Sequence, residues 1–288
     1  MKSKKQAHEK IPAVVLANKC RIPDQTGDSE VRELVIEIDQ PGFTCEAGQS
    51  IGVYAPAADG SPDDTHLRWY SIADGPAADQ RGRPNVTLCV RRIVQKDRDS
   101  GREIRGRASN YLCDLQPGDR LQVAGPYGVA FPIPEDPDAT LILIGAGTGI
   151  APFRSFIKTL YRQRPRRTGV VRLFYGTQNG LDVLYANDPD EDVRQYFDQE
   201  TFDAFHALSP APNWADPIAW DHAFSERGSE LVEQMEQPDS CFYIAGLQSI
   251  SAHLDRFFGE LLGSPNRWAQ QKQQLIDHQR WIELLYGD

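Results

Sequence analysis

At 288 residues, 40% hydrophobic and 25% charged, the chain has room for two modest domains, each able to bury a core. A net charge of −10 argues against nucleic acid as the main partner, and no stretch reaches membrane-spanning length. Cys20, Cys45, Cys89, Cys113 and Cys241 are scattered, odd in number and without a CxxC pair, which excludes a disulfide framework, a zinc site and an iron–sulfur motif; no metal is expected.

The first residues, Met1 to Gln6, are charged and lead into no long apolar run. They read as neither signal peptide nor anchor, and a reducing cytoplasm is the expected setting. Short strands split by turn residues follow at 31–38, 50–54, 85–94 and 120–124, the pattern of an antiparallel barrel. Within this half lies Arg68-Trp69-Tyr70-Ser71, a cation, a ring and a hydroxyl along an extended run. A ring and a hydroxyl there can meet an isoalloxazine while the arginine on the other side meets a phosphate. Next comes Arg107-Ala108-Ser109-Asn110-Tyr111-Leu112-Cys113-Asp114-Leu115, small residues leading into a helix-like run. Free amides at such a start suit a pyrophosphate, and Ser109 is read as a helix cap, a phosphate ligand or both. Cys89 and Cys113 read as packing residues rather than redox thiols.

Pro132, Pro134 and Pro137, with acids between them, mark a boundary, giving domains 1–136 and 137–288. Beyond it strands at 140–144, 170–175, part of 201–208, and 240–244 alternate with helices at 151–162, 230–236 and 248–262. Alternation implies a parallel sheet with its ligand at the carboxyl ends of the strands. Gly145-Ala146-Gly147-Thr148-Gly149 closes the first of these strands, with Pro152 early in the helix after it, and Ala245-Gly246-Leu247 closes the last. Both turns face one crevice in such a sheet. Two basic clusters stand out against the acidic whole: Arg91, Arg92, Lys96, Arg98, Arg102, Arg105 and Arg107, then Arg162, Arg164, Arg166 and Arg167. They read equally as a face that steers an acidic partner and as solvated mixed-charge loops. The histidines show no ligand spacing.

The order of these motifs resembles the plant-type ferredoxin–NADP(+) reductases. Arg68, Tyr70 and Ser71 match that family's flavin motif, Ser109 to Leu115 its pyrophosphate loop and helix, and Gly145 to Phe153 its nucleotide turn. Cys89-Val90-Arg91 falls at the ribityl and phosphate contacts, Phe242 to Leu247 beside the nicotinamide, and Tyr286 on the terminal aromatic. The resemblance implies an FAD-binding β-barrel followed by an α/β NAD(P)-binding domain. It further implies that FAD is held by Arg68, Trp69, Tyr70 and Ser71, by Cys89, Val90 and Arg91, and by Arg107, Ala108 and Ser109. The dinucleotide falls to Gly147, Thr148, Ser209, Gly246 and Leu247. Ser71 is implied to hydrogen-bond near the reactive flavin nitrogen, and Tyr286 to cover the flavin where the nicotinamide must go. The implied activity is electron transfer between NAD(P)H and a ferredoxin-type iron–sulfur protein. Alternatives are a reductase component feeding an oxygenase and, in another class, a nucleotide-sensing flavin module without turnover.

The chain also departs from that family. Ala245 stands where a cysteine is common, and Gln95 where a tyrosine covers the adenine of FAD. The carboxylate expected two residues before the terminal aromatic is Leu284 here, with Glu283 one step away as the substitute catalytic acid. Gly287 and Asp288 follow the aromatic. In the stretch His206 to Trp220, Ser209 is kept but Pro210 replaces the arginine that holds the NADPH 2′-phosphate, and Asp216 adds repulsion. NADH is therefore expected to serve at least as well as NADPH, with Trp220 stacking on its adenine.

Overall fold

A computed structural model describes residues 9–22, 30–57, 66–78, 82–97, 100–177, 202–208 and 227–286. The chain divides into two units between Ala130 and Phe131.

The first unit is built on strands β1 (Ile11–Ile22), β2 (Val31–Ile38), β3 (Ser50–Ala55), β4 (His66–Ala78) and β5 (Pro84–Arg91). A small hairpin, β6 (Val94–Lys96) and β7 (Glu103–Arg105), leads into helix α1 (Arg107–Asp114), and strand β8 (Arg120–Tyr127) ends the unit. The large strands close into a barrel in the order β1-β2-β5-β4-β3-β8, with β8 pairing back on β1. Alternation decides which side chains fill it. Leu34, Ile36 and Ile38 from β2, Ile51 and Val53 from β3, and Val86, Leu88 and Val90 from β5 are buried in one core. Helix α1 adds Leu112 and Cys113 to that core.

The expected strand at 85–94 stops at Arg91 because the next residues have other partners. Arg92 bonds Glu30 through Nε, Asp114 at 2.8 Å and Asn110 Oδ1 at 3.1 Å. The backbone of Ile93 accepts from Gly106 N–H at 2.9 Å and from Asn110 Nδ2 at 2.8 Å. At the other end of α1, Asn18 Nδ2 donates to the carbonyls of Leu112, Cys113 and Leu115 at 3.2, 3.3 and 2.7 Å. These are carbonyls that a helix leaves open at its C-terminus. The short helix is thus held by side chains from β1 and from the turn after β5.

The second unit contains β9 (Thr140–Ala146), α2 (Ile150–Gln163), β10 (Val171–Thr177) and β11 (Phe202–Leu208). It continues with α3 (Gly228–Glu236), β12 (Ser240–Leu247), α4 (Ser249–Leu261), α5 (Pro265–Asp277) and β13 (Trp281–Tyr286). Among the described residues its strands are parallel, in the order β11-β10-β9-β12-β13. Leu141, Ile142, Leu143 and Ile144 of the central strand are fully buried, as expected for a sheet covered on both faces. Phe131 belongs to this unit because it packs on Phe153, Phe156 and Tyr243, and Tyr243 Oη donates to the Pro132 carbonyl at 2.6 Å. Arg280 receives the C-terminal carbonyls of α3, donating to Gln234, Met235 and Gln237, and to Ser240 at 2.7 Å. The sequence reading left out α5 and β13; Trp268 and Trp281 anchor them to Phe258 through ring contacts of 4.7 and 6.1 Å. Among the described residues no helix is long and apolar enough to cross a membrane.

Candidate active site

In the first unit the site starts on β4. Its ladder sets Arg68 opposite Val53, Trp69 opposite Gly52, Tyr70 opposite Ile51 and Ser71 opposite Ser50. Directly opposed residues share a face. Arg68 and Tyr70 therefore lie on the side of the core residues Val53 and Ile51, and Trp69 and Ser71 on the other; the expected division, ring and hydroxyl on one side and arginine on the other, is replaced because alternation pairs Arg68 with Tyr70. Tyr70 packs half-buried against the barrel core. Burial pushes its hydroxyl pKa up, against the opposing pull of Arg68, so the phenol stays protonated. Arg68 is exposed and donates through Nε to His66 Nε2 at 2.8 Å. Trp69 lies over Gly52, where a Cβ would come within 2.8 Å of its ring, and meets Tyr127 edge-on at 4.4 Å.

Ser71 carries the clearest sign of a ligand. Its Oγ is buried and has no hydrogen-bond partner among the described residues. A buried hydroxyl without a partner costs stability, so its presence calls for a group that is supplied on binding.

Helix α1 provides the anion-binding end. No side chain caps it, and its first turn holds no acid. The Ser109 hydroxyl is used elsewhere: it accepts from Ile93 N–H at 3.1 Å and donates to the Gly106 carbonyl at 3.2 Å. The capping reading of Ser109 is thereby replaced, and the first-turn amides remain for a phosphate. Ala108 and Ser109 are buried, while Arg107 donates to the Pro56 carbonyl at 2.7 Å. On β5 the Val90 side chain belongs to the core, so this residue can offer a ligand only its backbone. Cys89 and Arg91 alternate onto the opposite side, with Cys89 buried opposite Glu33. The thiols fit packing roles: burial pushes Cys113 up to about 12.

In the second unit the turn Gly147–Gly149 joins β9 to α2, which again begins without a side-chain cap or an acid in its first turn. Gly147 has φ +55°, a conformation that favours glycine, and its carbonyl accepts from Tyr175 Oη at 2.9 Å. A Cβ at Gly149 would collide with the Ala245 carbonyl, so the turn lies directly against the end of β12. The neighbours β9 and β12 are where the strand order reverses, the point at which open α/β sheets bind ligands. Gly147 and Thr148 are thus brought beside Gly246 and Leu247. The ladder then places Tyr286 opposite Leu247, and the Tyr286 carbonyl accepts from Gln248 N–H at 3.0 Å.

Glu283 does not join this group. An odd spacing along β13 sends it to the face opposite Tyr286. There it accepts from Trp281 Nε1 at 2.6 Å and pairs with Lys272 at 3.0 Å. Leu284, which shares the Tyr286 face, is apolar. Ser209, Pro210, Asp216 and Trp220 lie outside the described residues.

The basic clusters are smaller than they read. Arg92 is spent on Glu30 and Asp114, and Arg167 is buried, donating to the Ala139 carbonyl at 2.6 Å. The 162–167 turn follows the C-terminus of α2, at the end of the sheet away from the crevice. Among the described residues no cluster of histidine, cysteine and acid side chains is arranged to hold a metal. One contact went unread in the sequence, His66 to Arg68; their spacing of two along a strand was the available signal.

Residues 143–254 match the family model for the oxidoreductase NAD-binding domain. Over 267 residues the chain is 30% identical to a ferredoxin–NADP reductase of Spirulina sp, covering 90% of this chain and 90% of that one. Against the ferredoxin–NADP reductase of Picosynechococcus sp. it is 29% identical over 286 residues, covering 96% of this chain and 71% of the relative. Among solved structures, ferredoxin-NADP+ reductase from Plasmodium falciparum superposes with a TM-score of 0.69 at 19% identity, covering 96% of each chain, a likeness of fold.

Proposed function

Since the chain belongs to the ferredoxin–NADP reductase family, we propose that it passes electrons between NAD(P)H and a ferredoxin-type iron–sulfur protein by way of FAD. The buried, unpartnered Ser71 hydroxyl on the strand that carries Arg68 and Tyr70 is the observation that carries this reading. When bound, FAD supplies the chemistry: it accepts a hydride and releases electrons one at a time.

The protein's own part is binding, orientation and exclusion of water. Arg68 and the first-turn amides of α1 meet the FAD diphosphate, where charge-assisted bonds are strongest. Tyr70 offers a protonated phenol and an apolar ring, and Ser71 a hydroxyl for a polar atom of the flavin ring. Gly147, Thr148 and the start of α2 receive the dinucleotide diphosphate. Gly246, free of a side chain, lets the nicotinamide approach, with Leu247 as its apolar border. Tyr286, opposite Leu247 on the edge strand, would be the aromatic side chain that the nicotinamide displaces. With Glu283 engaged by Lys272 and Trp281, Ser71 stands as the polar group of the reaction and Glu283 as a support of β13. The scattered cysteines, with no CxxC pair in the sequence, fit a reducing compartment such as the cytoplasm.

The purified chain should be yellow, and its flavin absorbance should bleach when NADPH or NADH is added without oxygen. It should then reduce cytochrome c faster when a ferredoxin is supplied. A colourless chain that gains no colour with added FAD defeats this reading; bleaching without any effect of ferredoxin defeats the choice of partner.

A further inference from the structure

The turn between β9 and α2 is held from a neighbouring strand. Gly147 stands there at φ +55°. Glycine enters many backbone conformations at little cost, so this residue cannot by itself keep the peptide after it in one orientation. Two donors do so. Ile150 N–H and Tyr175 Oη both bond the Gly147 carbonyl, the phenol at 2.9 Å. A carbonyl oxygen has two lone pairs, and these donors take both. Ile150 belongs to the turn itself, but Tyr175 reaches it from β10, 28 residues on. The ladder sets Tyr175 beside Gly145, two residues before Gly147, and the tyrosine is buried. The Gly147–Thr148 peptide is trans, so its N–H lies opposite its C=O. With the carbonyl drawn toward β10, Thr148 N–H points away from β10, to the side on which the end of β12 lies against Gly149.

We propose that Tyr175 is a positioning residue for the coenzyme diphosphate. It touches no coenzyme atom and acts through the turn. By holding the Gly147 carbonyl toward β10 it keeps a partial negative charge away from the phosphates and presents the Thr148 amide to them. A flip of the same peptide would exchange the two and set a carbonyl oxygen against the anion. The diphosphate is common to NADH and NADPH, so both coenzymes depend on this bond equally. This assignment rests on the dinucleotide reading above, and the experiment separates the two.

Tyr175→Phe removes one oxygen and keeps the ring in the core. The FAD-loaded variant and its parent are compared in steady-state reduction of ferricyanide by NADH and by NADPH. Both are also tested for flavin bleaching by N-methyl-dihydronicotinamide, a hydride donor that carries no diphosphate. In the variant KM should rise roughly threefold to tenfold for both coenzymes, the scale of one neutral hydrogen bond. The value of kcat, the ratio of the two KM values and the rate of bleaching by the small donor should stay as in the parent. Unchanged KM values would overturn the proposal and leave the dinucleotide reading intact. A rise for one coenzyme alone would overturn it, because the diphosphate is shared. Equal slowing with the small donor would make Tyr175 a general support of the fold and overturn it too. A parent that bleaches with the small donor but with neither coenzyme defeats the dinucleotide reading itself.

Discussion

Arg68 and Tyr286 are the side chains on which the proposed binding and turnover would depend most directly. Arg68 is exposed and held by His66, and in the proposed site it would meet a phosphate. Arg68→Ala removes a charge-assisted contact of a class worth about 1.5–3 kcal/mol. The variant should fold but lose most of its FAD during purification; full FAD content and unchanged affinity would remove Arg68 from the site. Tyr286 is fixed through its backbone, by the ladder with Leu247 and by Gln248. In the proposed reaction its displacement by the nicotinamide would therefore be a side-chain rotation. Tyr286→Ser should bind coenzyme more tightly and discriminate less between NADPH and NADH, because binding energy is no longer used to displace the ring. Titration of the oxidised variant with each coenzyme checks this, and an affinity equal to that of the parent would show that Tyr286 does not compete.

Helix α1 is the element that would order the proposed flavin site, and its anchors titrate. Glu30 accepts from both Arg92 and Arg32. Burial alone would raise its pKa, but the bonds to the two arginines win and hold it below the usual carboxylate range. A carboxylate with a lowered folded pKa adds stability above its unfolded value, and that stability is lost as the pH falls through the folded value. Denaturant midpoints should therefore drop as the pH falls through and below the ordinary carboxylate range. Glu30→Gln should be less stable at neutral pH and show a shallower drop across that window. An identical slope in parent and variant would show that the Glu30 cluster does not govern acid stability. Because Arg92 also grips Asn110 and Asp114 of α1, FAD should leave over the same window.

At the scale of the whole molecule the choice of coenzyme matters most. The proposed contacts of the glycine turn and β12 would recognise features common to NADH and NADPH. The 2′-phosphate that separates them needs cations, and the sequence from Ser209 to Trp220 contains none. NADH should serve at least as well as NADPH, although the named relatives are NADP reductases. Steady-state kinetics with both coenzymes measures this. A specificity constant for NADPH more than about tenfold higher, or about 1.4 kcal/mol, would reveal a phosphate-binding cation from another segment.

Local pattern was enough for much of this protein. Alternating apolar positions announced β2 and β3, and the glycine turn after a buried run announced β9 and α2, because such signals depend on neighbours in the chain. Other features depended on partners far away in sequence. The role of Ser109 changed because Ile93 and Gly106 take its hydroxyl. Glu283 faces away from Tyr286 because strand alternation turned it toward Lys272, eleven residues back on α5. β13 itself became a strand because β12 offered an edge and Trp281 a place beside Phe242, at 5.7 Å. The missing partner of Ser71 was equally invisible in the sequence. Residue type and spacing state what a side chain can do, but only the packed fold decides which side it faces and whether a partner is already there.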